Sequence, residues 1–412
     1  MTAPAGRAKE RIVVVGGGRA GHAAAERLRE SGFTGELTIV GEERHRPYNR
    51  TPLSKQLLTG VYALDDLALP AFTELDARWR LGCRVVALDP ARRVVRLGGA
   101  EDLPYDGLVI ATGVEARVLP GAPMHSDRIH MLRTLEDAHH IDQAMGHATG
   151  RLLIVGGGFI GAELASTARA RGLDATIIDV SPVMLARGLG HVLGAAAGDL
   201  HRDHGVRLHL GVAVTGWEMH DRGVRLALAD GEVLDGDAAV VGIGTVPRTE
   251  WLAGAGLDTT DGVLAAATCH AVGAQDVVVA GDVARWPNLL FDNVPRRVEH
   301  WINAVEMGQH AADSLLAGPD RATAFTPVPR FWSEQHGVKI QAVGSPGLGT
   351  DVRILEGTLA SRRFVAGYLD ATATSKRLMG VVAFDSPREL LAYAPLIGQA
   401  VVDRATRQVQ SA

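Results

Sequence analysis

Two stretches of the chain repeat one pattern of apolar and polar positions. Residues 11–15 (RIVVV) are a continuous β-branched run of the kind that suits a strand buried on both faces of a parallel sheet. The glycine-rich GGGRAG follows, then a helical pattern with Ala24 and Leu28 on one face, which Gly32 ends. A second apolar run, residues 36–40, leads to Gly41 and Glu42. The order recurs from residue 152: LLIV, then GGGFIG, a helical pattern through Ala165 to Gly172, and a run at 175–178 that ends at Asp179. The internal spacing matches. Gly21 to Ala25 and Gly161 to Ala165 are each four residues apart, and Ala25 to Gly32 and Ala165 to Gly172 are each seven apart.

Strand, glycine loop, helix, strand and acid in that order describe a dinucleotide cradle. Gly16 and Gly156 permit the tight turn, Gly18 and Gly158 let backbone approach a pyrophosphate, and Gly21 and Gly161 let the helix pack close on the strand. The free amides of each helix start, around Ala20 in the first and Phe159 and Ile160 in the second, then face the phosphates. Glu42 and Asp179 stand where a carboxylate holds a ribose. Asp179 repels a 2′-phosphate and favours NADH over NADPH, while Arg187, eight residues on, pulls the other way. Two such units predict two dinucleotides, FAD and NADH.

Further apolar runs close the units. Residues 108–110 lead into Ala111, Thr112 and Gly113, and residues 238–241 into Gly242, Ile243 and Gly244; small residues at these exits let backbone approach a cofactor. Residues 276–281 form another buried strand, and Asp282 after Gly281 points to the crevice at the strand ends, a candidate for the flavin ribitol. Residues 297–316 read as a loop entering a helix, with Trp301 near its start, whose positive end suits negative charge on a reduced flavin. After about residue 325, residues 339–343, 352–355, 364–369 and 376–383 read as short strands joined by hairpins, 344–350 as a loop, and 387–402 as a helix.

Composition narrows the function. At 412 residues the chain is long enough for two or three domains, and its net charge of −5 gives no reason to expect nucleic acid as a partner. No run of about 18 apolar residues occurs, so no membrane span is expected. Cys83 and Cys269 form no CxxC pair, which argues against a metal site, a disulfide scaffold and a redox dithiol, and fits a reducing cytoplasm. Residues 32–55 contain no cysteine at all, so electrons must leave a flavin directly, to a protein partner or a small acceptor.

The segments GGGRAG, RPYNRTPLSK, LVIATG, LRTLEDA, GGGFIGAEL, VVGIGTVPRTE, VVVAGDVA, RRVEHW and RFWSEQ occur in one order. In this the chain resembles the oxygenase-coupled NADH–ferredoxin reductases, of the putidaredoxin reductase and ring-hydroxylating dioxygenase reductase type. The resemblance implies an α/β fold of two Rossmann-like FAD- and NAD-binding domains, arranged as in glutathione reductase, plus a C-terminal α+β domain. The expected division is residues 10–116 and 245–325 for FAD, 117–244 for NAD and 326–412 for the last domain. Ala20 and the first glycines would meet the FAD pyrophosphate, Glu42 its adenosine ribose, Val85 the adenine, Arg133 the pyrophosphate, Asp282 the ribitol and Trp301 the flavin pyrimidine. Arg50 and Lys55 would lie beside the flavin and Trp332 close to the ring. Glu163 would meet the nicotinamide carboxamide and pair with Lys55, whose ammonium favours an anionic reduced ring. Two departures are Thr51, where proline is usual, and His300, where a small hydroxyl residue commonly caps the helix.

The resemblance implies electron transfer from NADH through FAD to a ferredoxin serving an oxygenase, by a monomer or homodimer. Two alternatives remain open at this point. One is another acceptor, such as rubredoxin, a quinone, a small molecule or oxygen. The other is an NADH-sensing protein like apoptosis-inducing factor. A basic rim drawn from Arg46, Arg50, Arg296, Arg297 and Arg330 would favour an acidic ferredoxin.

Overall fold

The structure is a computed structural model that describes residues 9–69, 75–124, 126–148, 150–370 and 376–399. It divides into two compact units, one of Met1–Asn49, Ala68–Glu115 and Val246–Pro329, the other of Arg50–Leu67, Ala116–Thr245 and Arg330–Ala412. The α-helices among the described residues are α1 (Arg19–Glu30), α2 (Leu135–His147), α3 (Phe159–Ala170), α4 (Ala186–Asp203), α5 (Trp301–Ala317) and α6 (Pro387–Tyr393). None is long and apolar enough to cross a membrane.

The first unit is built on a parallel sheet with strand order Val277–Val279, Gly107–Ile110, Arg11–Val15, Glu36–Gly41 and Arg78–Leu81. Its central strands are buried on both faces, which is why they read as unbroken apolar runs rather than alternating ones. Helices α1 and α5 lie against each other, and their contact is made by small residues: a methyl on Gly308 would stand 2.4 Å from the Ala20 carbonyl and 3.1 Å from the Ala23 side chain. A three-stranded antiparallel sheet, Val85–Asp89, Val94–Leu97 and Asp102–Pro104, completes this unit's share of the core.

The second unit repeats the design with a parallel sheet in the order Arg207–Leu210, Asp174–Asp179, Arg151–Val155, Ala238–Val241 and Ile129–His130, and its own antiparallel sheet of Val214–His220, Gly223–Leu228 and Val233–Gly236. It also contains the C-terminal five-stranded antiparallel sheet, in the order Arg330–Gln335, Val338–Gly344, Arg377–Phe384, Arg363–Asp370 and Asp351–Thr358. The segment Arg50–Leu67, expected with the FAD-binding part, belongs to this unit because its backbone and side chains are tied to α3: Thr167 Oγ1 donates to the Ser54 carbonyl at 2.8 Å, and Arg171 donates to the Leu58 carbonyl at 3.0 Å. The C-terminal sheet joins the same unit through Phe331 on Phe159, the His336 N–H on Ser166 Oγ at 2.8 Å, and the Tyr368 hydroxyl on the Leu189 carbonyl at 2.6 Å.

Three local readings need adjusting. The strand Arg330–Gln335 was not expected, because RFWSEQ alternates only weakly in hydrophobicity. The expected loop at 344–350 contains a 3₁₀ turn, Pro346–Leu348. The helix expected over 387–402 ends at Tyr393 and passes into a 3₁₀ turn, Ala394–Leu396, since Pro395 has no N–H to continue the helical hydrogen bonds; residues 400–402 lie outside the described residues.

Candidate functional site: two glycine cradles and a buried carboxylate

Both fingerprint loops fold to the same geometry. Gly16 (φ +121°) and Gly156 (φ +119°) occupy backbone space closed to other residues, and a methyl on them would stand 2.0 Å from the Ala111 carbonyl oxygen and 2.2 Å from that of Gly242. The Gly16 N–H donates to the Val40 carbonyl and the Gly156 N–H to that of Ile178, each at 2.8 Å. Gly21 and Gly161 press on the loops behind them, where a methyl would meet the Gly16 or Gly156 carbonyl at 2.0 Å.

At Gly18 and Gly158, by contrast, a methyl would meet nothing within 4 Å. These are the N-caps of α1 and α3, and neither helix has a side-chain cap or an acid in its first turn. Helix α2 differs, since Thr134 and Asp137 close its start with a reciprocal capping box. Open space and uncapped amides at matched positions fit the pyrophosphates of two dinucleotides.

In the first unit, Ala111 abuts the loop, and a methyl on Gly281 would stand 2.7 Å from the Ala20 side chain, so the small residues at the strand ends converge on the start of α1. Trp301 opens α5, and the Arg19 guanidinium lies 5.1 Å from its ring centre. His300 is the N-cap of α5 and makes no side-chain cap bond, in keeping with its standing where a small hydroxyl residue is common. Burial pushes His300 down to about 4 despite the neighbouring Glu299. Asp282 sits in a 3₁₀ turn just after the strand. Glu42 is exposed and ion-paired to Arg248, with Arg84, the neighbour of Val85, 3.9 Å away on its other oxygen. Arg248 lies 206 residues from Glu42, inside the segment VVGIGTVPRTE, and was given no role from the sequence.

In the second unit, the Asp179 carboxylate turns onto its own loop, accepting the Gly157 N–H at 2.5 Å and the Ser181 N–H at 2.6 Å. Gly244 is close to Arg187, whose guanidinium would lie 3.5 Å from a methyl there. Ile160 is partly exposed at the helix start, and Phe159 packs edge-on against Phe331. The Arg50 guanidinium donates to the Arg133 carbonyl at 2.8 Å, and both belong to this second unit. Trp332 keeps 41% of its surface exposed.

Glu163 is the most unusual residue of α3: a carboxylate only 5% exposed in the middle of the helix. Such a group is costly to bury unless donors surround it. Oε2 accepts the Ser54 hydroxyl at 2.5 Å and the Lys55 ammonium at 2.7 Å, and Oε1 accepts the Ser333 hydroxyl at 2.6 Å. Ser54 and Ser333 were missed by sequence reasoning, although both lie inside quoted segments. Ser333 and Gln335, two residues apart on one strand, share its buried face, but both are polar, so the sequence carries no alternation that marks them.

Two of the five arginines of the basic rim drawn from the sequence are held by acids. Arg296 is paired with Asp292 at 2.6 Å and Arg297 with Asp261 at 2.8 Å and Glu299 at 2.6 Å, while the Arg46 guanidinium lies over the Trp79 ring at 4.2 Å.

Residues 10–308 match the model of the pyridine nucleotide-disulphide oxidoreductase family, and residues 330–411 that of the reductase C-terminal domain. The chain is 35% identical over 382 residues to the ferredoxin–NAD(+) reductase component of the p-cumate 2,3-dioxygenase system of Pseudomonas putida, covering 92% of this chain and 91% of that one. It is 34% identical over 390 residues to rhodocoxin reductase of Rhodococcus erythropolis, covering 92% and 88%. Among solved structures, the covalent putidaredoxin reductase–putidaredoxin complex aligns with a TM-score of 0.88 at 30% identity, over 95% of this chain and 93% of that one. The protein is an oxidoreductase, with FAD and NADH as its cofactors. The chain belongs to the pyridine nucleotide-disulphide oxidoreductase family, with the ferredoxin–NAD(+) reductase components of oxygenase systems as its relatives over nearly its full length.

Proposed function

We propose that the protein is an NADH–ferredoxin reductase that feeds electrons to an oxygenase. The observation that carries this reading is the pair of matched, open glycine cradles in a chain whose two cysteines, Cys83 and Cys269, are both free, with the Cys269 thiol buried and pushed well above its ordinary range. Two nucleotides can be held, and no dithiol stands ready to take the electrons. The names of the relatives, which are ferredoxin reductase components and a rhodocoxin reductase, supply the acceptor class.

FAD, when bound, supplies the chemistry of accepting an electron pair and releasing it singly. The chain's residues bind and orient. In this reading residues 10–116 and 245–325 form the FAD-binding part, residues 117–244 the NAD-binding part and residues 326–412 the last domain. The amides after Gly18, with Glu42, Val85, Ala111, Asp282 and Trp301, hold FAD. The amides after Gly158, with Asp179, hold the pyrophosphate and adenosine ribose of NADH. Glu163, fixed by Ser54 and Lys55, accepts the N–H of the nicotinamide carboxamide and so presents one face of the ring for hydride transfer. The acceptor in this reading is a small acidic iron–sulfur protein, and the reducing cytoplasm its compartment.

The test is reduction of cytochrome c by the purified FAD-loaded protein and NADH, with and without an added [2Fe–2S] ferredoxin. Reduction that rises with ferredoxin concentration and saturates is the expected result. Equal rates with and without every ferredoxin tried would remove the proposal and leave a reductase of small acceptors.

A further inference from the structure

The polar contacts of Glu163 continue far beyond its two serines. Ser333 Oγ, which donates to Glu163 Oε1, accepts from Gln335 Nε2 at 3.1 Å. Gln335 Oε1 meets His201 Nε2 at 3.0 Å, and His201 Nδ1 meets His336 Nε2 at 3.0 Å. His336 then stacks on exposed His204, with ring centres 4.3 Å apart and planes 12° from parallel. The chain draws on α3, on α4 and on the strand Arg330–Gln335, and its middle members Ser333, Gln335 and His201 are almost fully inaccessible to solvent.

Its direction follows from hydrogen-bond chemistry. A carboxylate only accepts, so the Ser333 hydroxyl must donate to it. The Ser333 oxygen can then only receive, so Gln335 must present its NH₂ there and its carbonyl to His201. His201 must therefore carry its proton on Nε2, leaving Nδ1 to accept from His336. Burial pushes His201 down to about 4, and burial foremost pushes His336 down to about 3. Both rings are thus neutral with one N–H each, as a one-way chain needs. Every donor in the series points toward Glu163.

We propose that Ser333, Gln335 and His201 are positioning residues that lock the Glu163 carboxylate, through this one-way hydrogen-bond chain, in the rotamer from which it binds the nicotinamide carboxamide. Lys55 and Ser54 both hold Oε2, whereas Ser333 alone fixes Oε1 and leaves it a lone pair for the carboxamide N–H. Gln335 and His201 in turn prevent the Ser333 hydroxyl from rotating away. The inference rests on the reading that Glu163 meets the nicotinamide.

Calorimetric titration of the FAD-loaded protein with NAD⁺ and, separately, with ADP-ribose isolates the nicotinamide contribution, because ADP-ribose lacks that ring. Glu163→Gln tests the underlying reading and should bring the two affinities together. Ser333→Ala and Gln335→Met should each reduce the NAD⁺ to ADP-ribose affinity ratio about tenfold and lower the melting temperature by a few degrees, while leaving ADP-ribose affinity and FAD content nearly unchanged. Ser333→Thr, which keeps the hydroxyl, should restore the ratio. If Glu163→Gln leaves the ratio as it was, the reading of Glu163 fails and the proposal with it. If Glu163→Gln collapses the ratio but Ser333→Ala and Gln335→Met do not, or if Ser333→Thr behaves like Ser333→Ala, the positioning role alone is overturned.

Discussion

Helices α1 and α3 start from the same loop, end at equivalent glycines and use the same register, yet their outward faces serve opposite ends. Counting from the third fingerprint glycine, Ala23 of α1 and Glu163 of α3 are corresponding positions. In α1 that position is a fully buried alanine pressed on Gly308 of α5, so the face is spent on close helix packing. In α3 it is a buried carboxylate encircled by Ser54, Lys55 and Ser333. A duplicated nucleotide cradle therefore keeps its loop, where backbone geometry leaves no freedom, and diverges on the helix face, where neighbours decide which side chain is tolerated.

The comparison is broken most severely at the small-residue contact. Gly308→Leu would drive a side chain into the Ala20 backbone carbonyl, which cannot move without moving the first cradle. A loss of roughly 4 kcal/mol or more in stability, with release of FAD, is expected from denaturant titration and the flavin absorbance of the purified protein. Retention of wild-type stability would mean that α1 and α5 tolerate separation. Exchanging the chemistry is nearly as costly. Ala23→Glu forces a carboxylate into the fully buried contact with Gly308 and should cost about 3–5 kcal/mol, whereas Glu163 is tolerated in α3 because donors meet both of its oxygens.

Acid should act on both units through histidines. His201 in the second unit is fully buried and His300 in the first half-buried, and desolvation pushes each from 6.5 down to about 4. Each folded-state pKa lies below its unfolded value, so the unfolded chain binds the extra proton first. The stability each contributes is intact above about pH 6.5 and is lost as pH falls from there toward 4, by roughly 3 kcal/mol per residue at the bottom of that window. Urea midpoints measured from pH 7.5 to 4 should fall steeply across it. His201→Gln should flatten that slope and His300→Gln likewise, and a slope indifferent to both would show that carboxylates, not these rings, govern acid sensitivity.

What the sequence made legible was the part of the fold decided by neighbours in the chain. Gly16 to Gly21 and Gly156 to Gly161 declare a turn, an open cap and a close contact within six residues, and the structure repeats these features in both units. What it hid was decided by partners far away. Glu42 meets Arg248 across 206 positions, and Glu163 meets Ser333 across 170. The polar face of the strand Arg330–Gln335 shows no apolar alternation because Ser333 and Gln335 are buried by bonding to other polar groups rather than by hydrophobicity. The expected helix at 387–402 failed for a local reason that was available, Pro395, and was outweighed by the run of helix formers before it.

The smallest effect concerns the two acids at the ends of the second strands, and it sharpens the comparison most. Glu42 is exposed and held by Arg248, while Asp179 reaches back to accept the Gly157 N–H. Asp179 therefore braces the second cradle in addition to the ribose role proposed for it, whereas Glu42, proposed for the other ribose, makes no such bond to its loop among the described residues. Asp179→Ala removes a charge-assisted acceptor worth about 1–2 kcal/mol, so the Kd for NADH should rise about tenfold, with FAD content unchanged. Asp179→Asn keeps an acceptor for Gly157 and should lose less. Glu42→Gln should do the reverse, weakening FAD retention on dialysis and leaving NADH affinity as it was. If Asp179→Ala instead sheds flavin and keeps its NADH affinity, the two cradles hold the opposite nucleotides, and the division of labour between α1 and α3 has to be redrawn with Glu163 facing FAD.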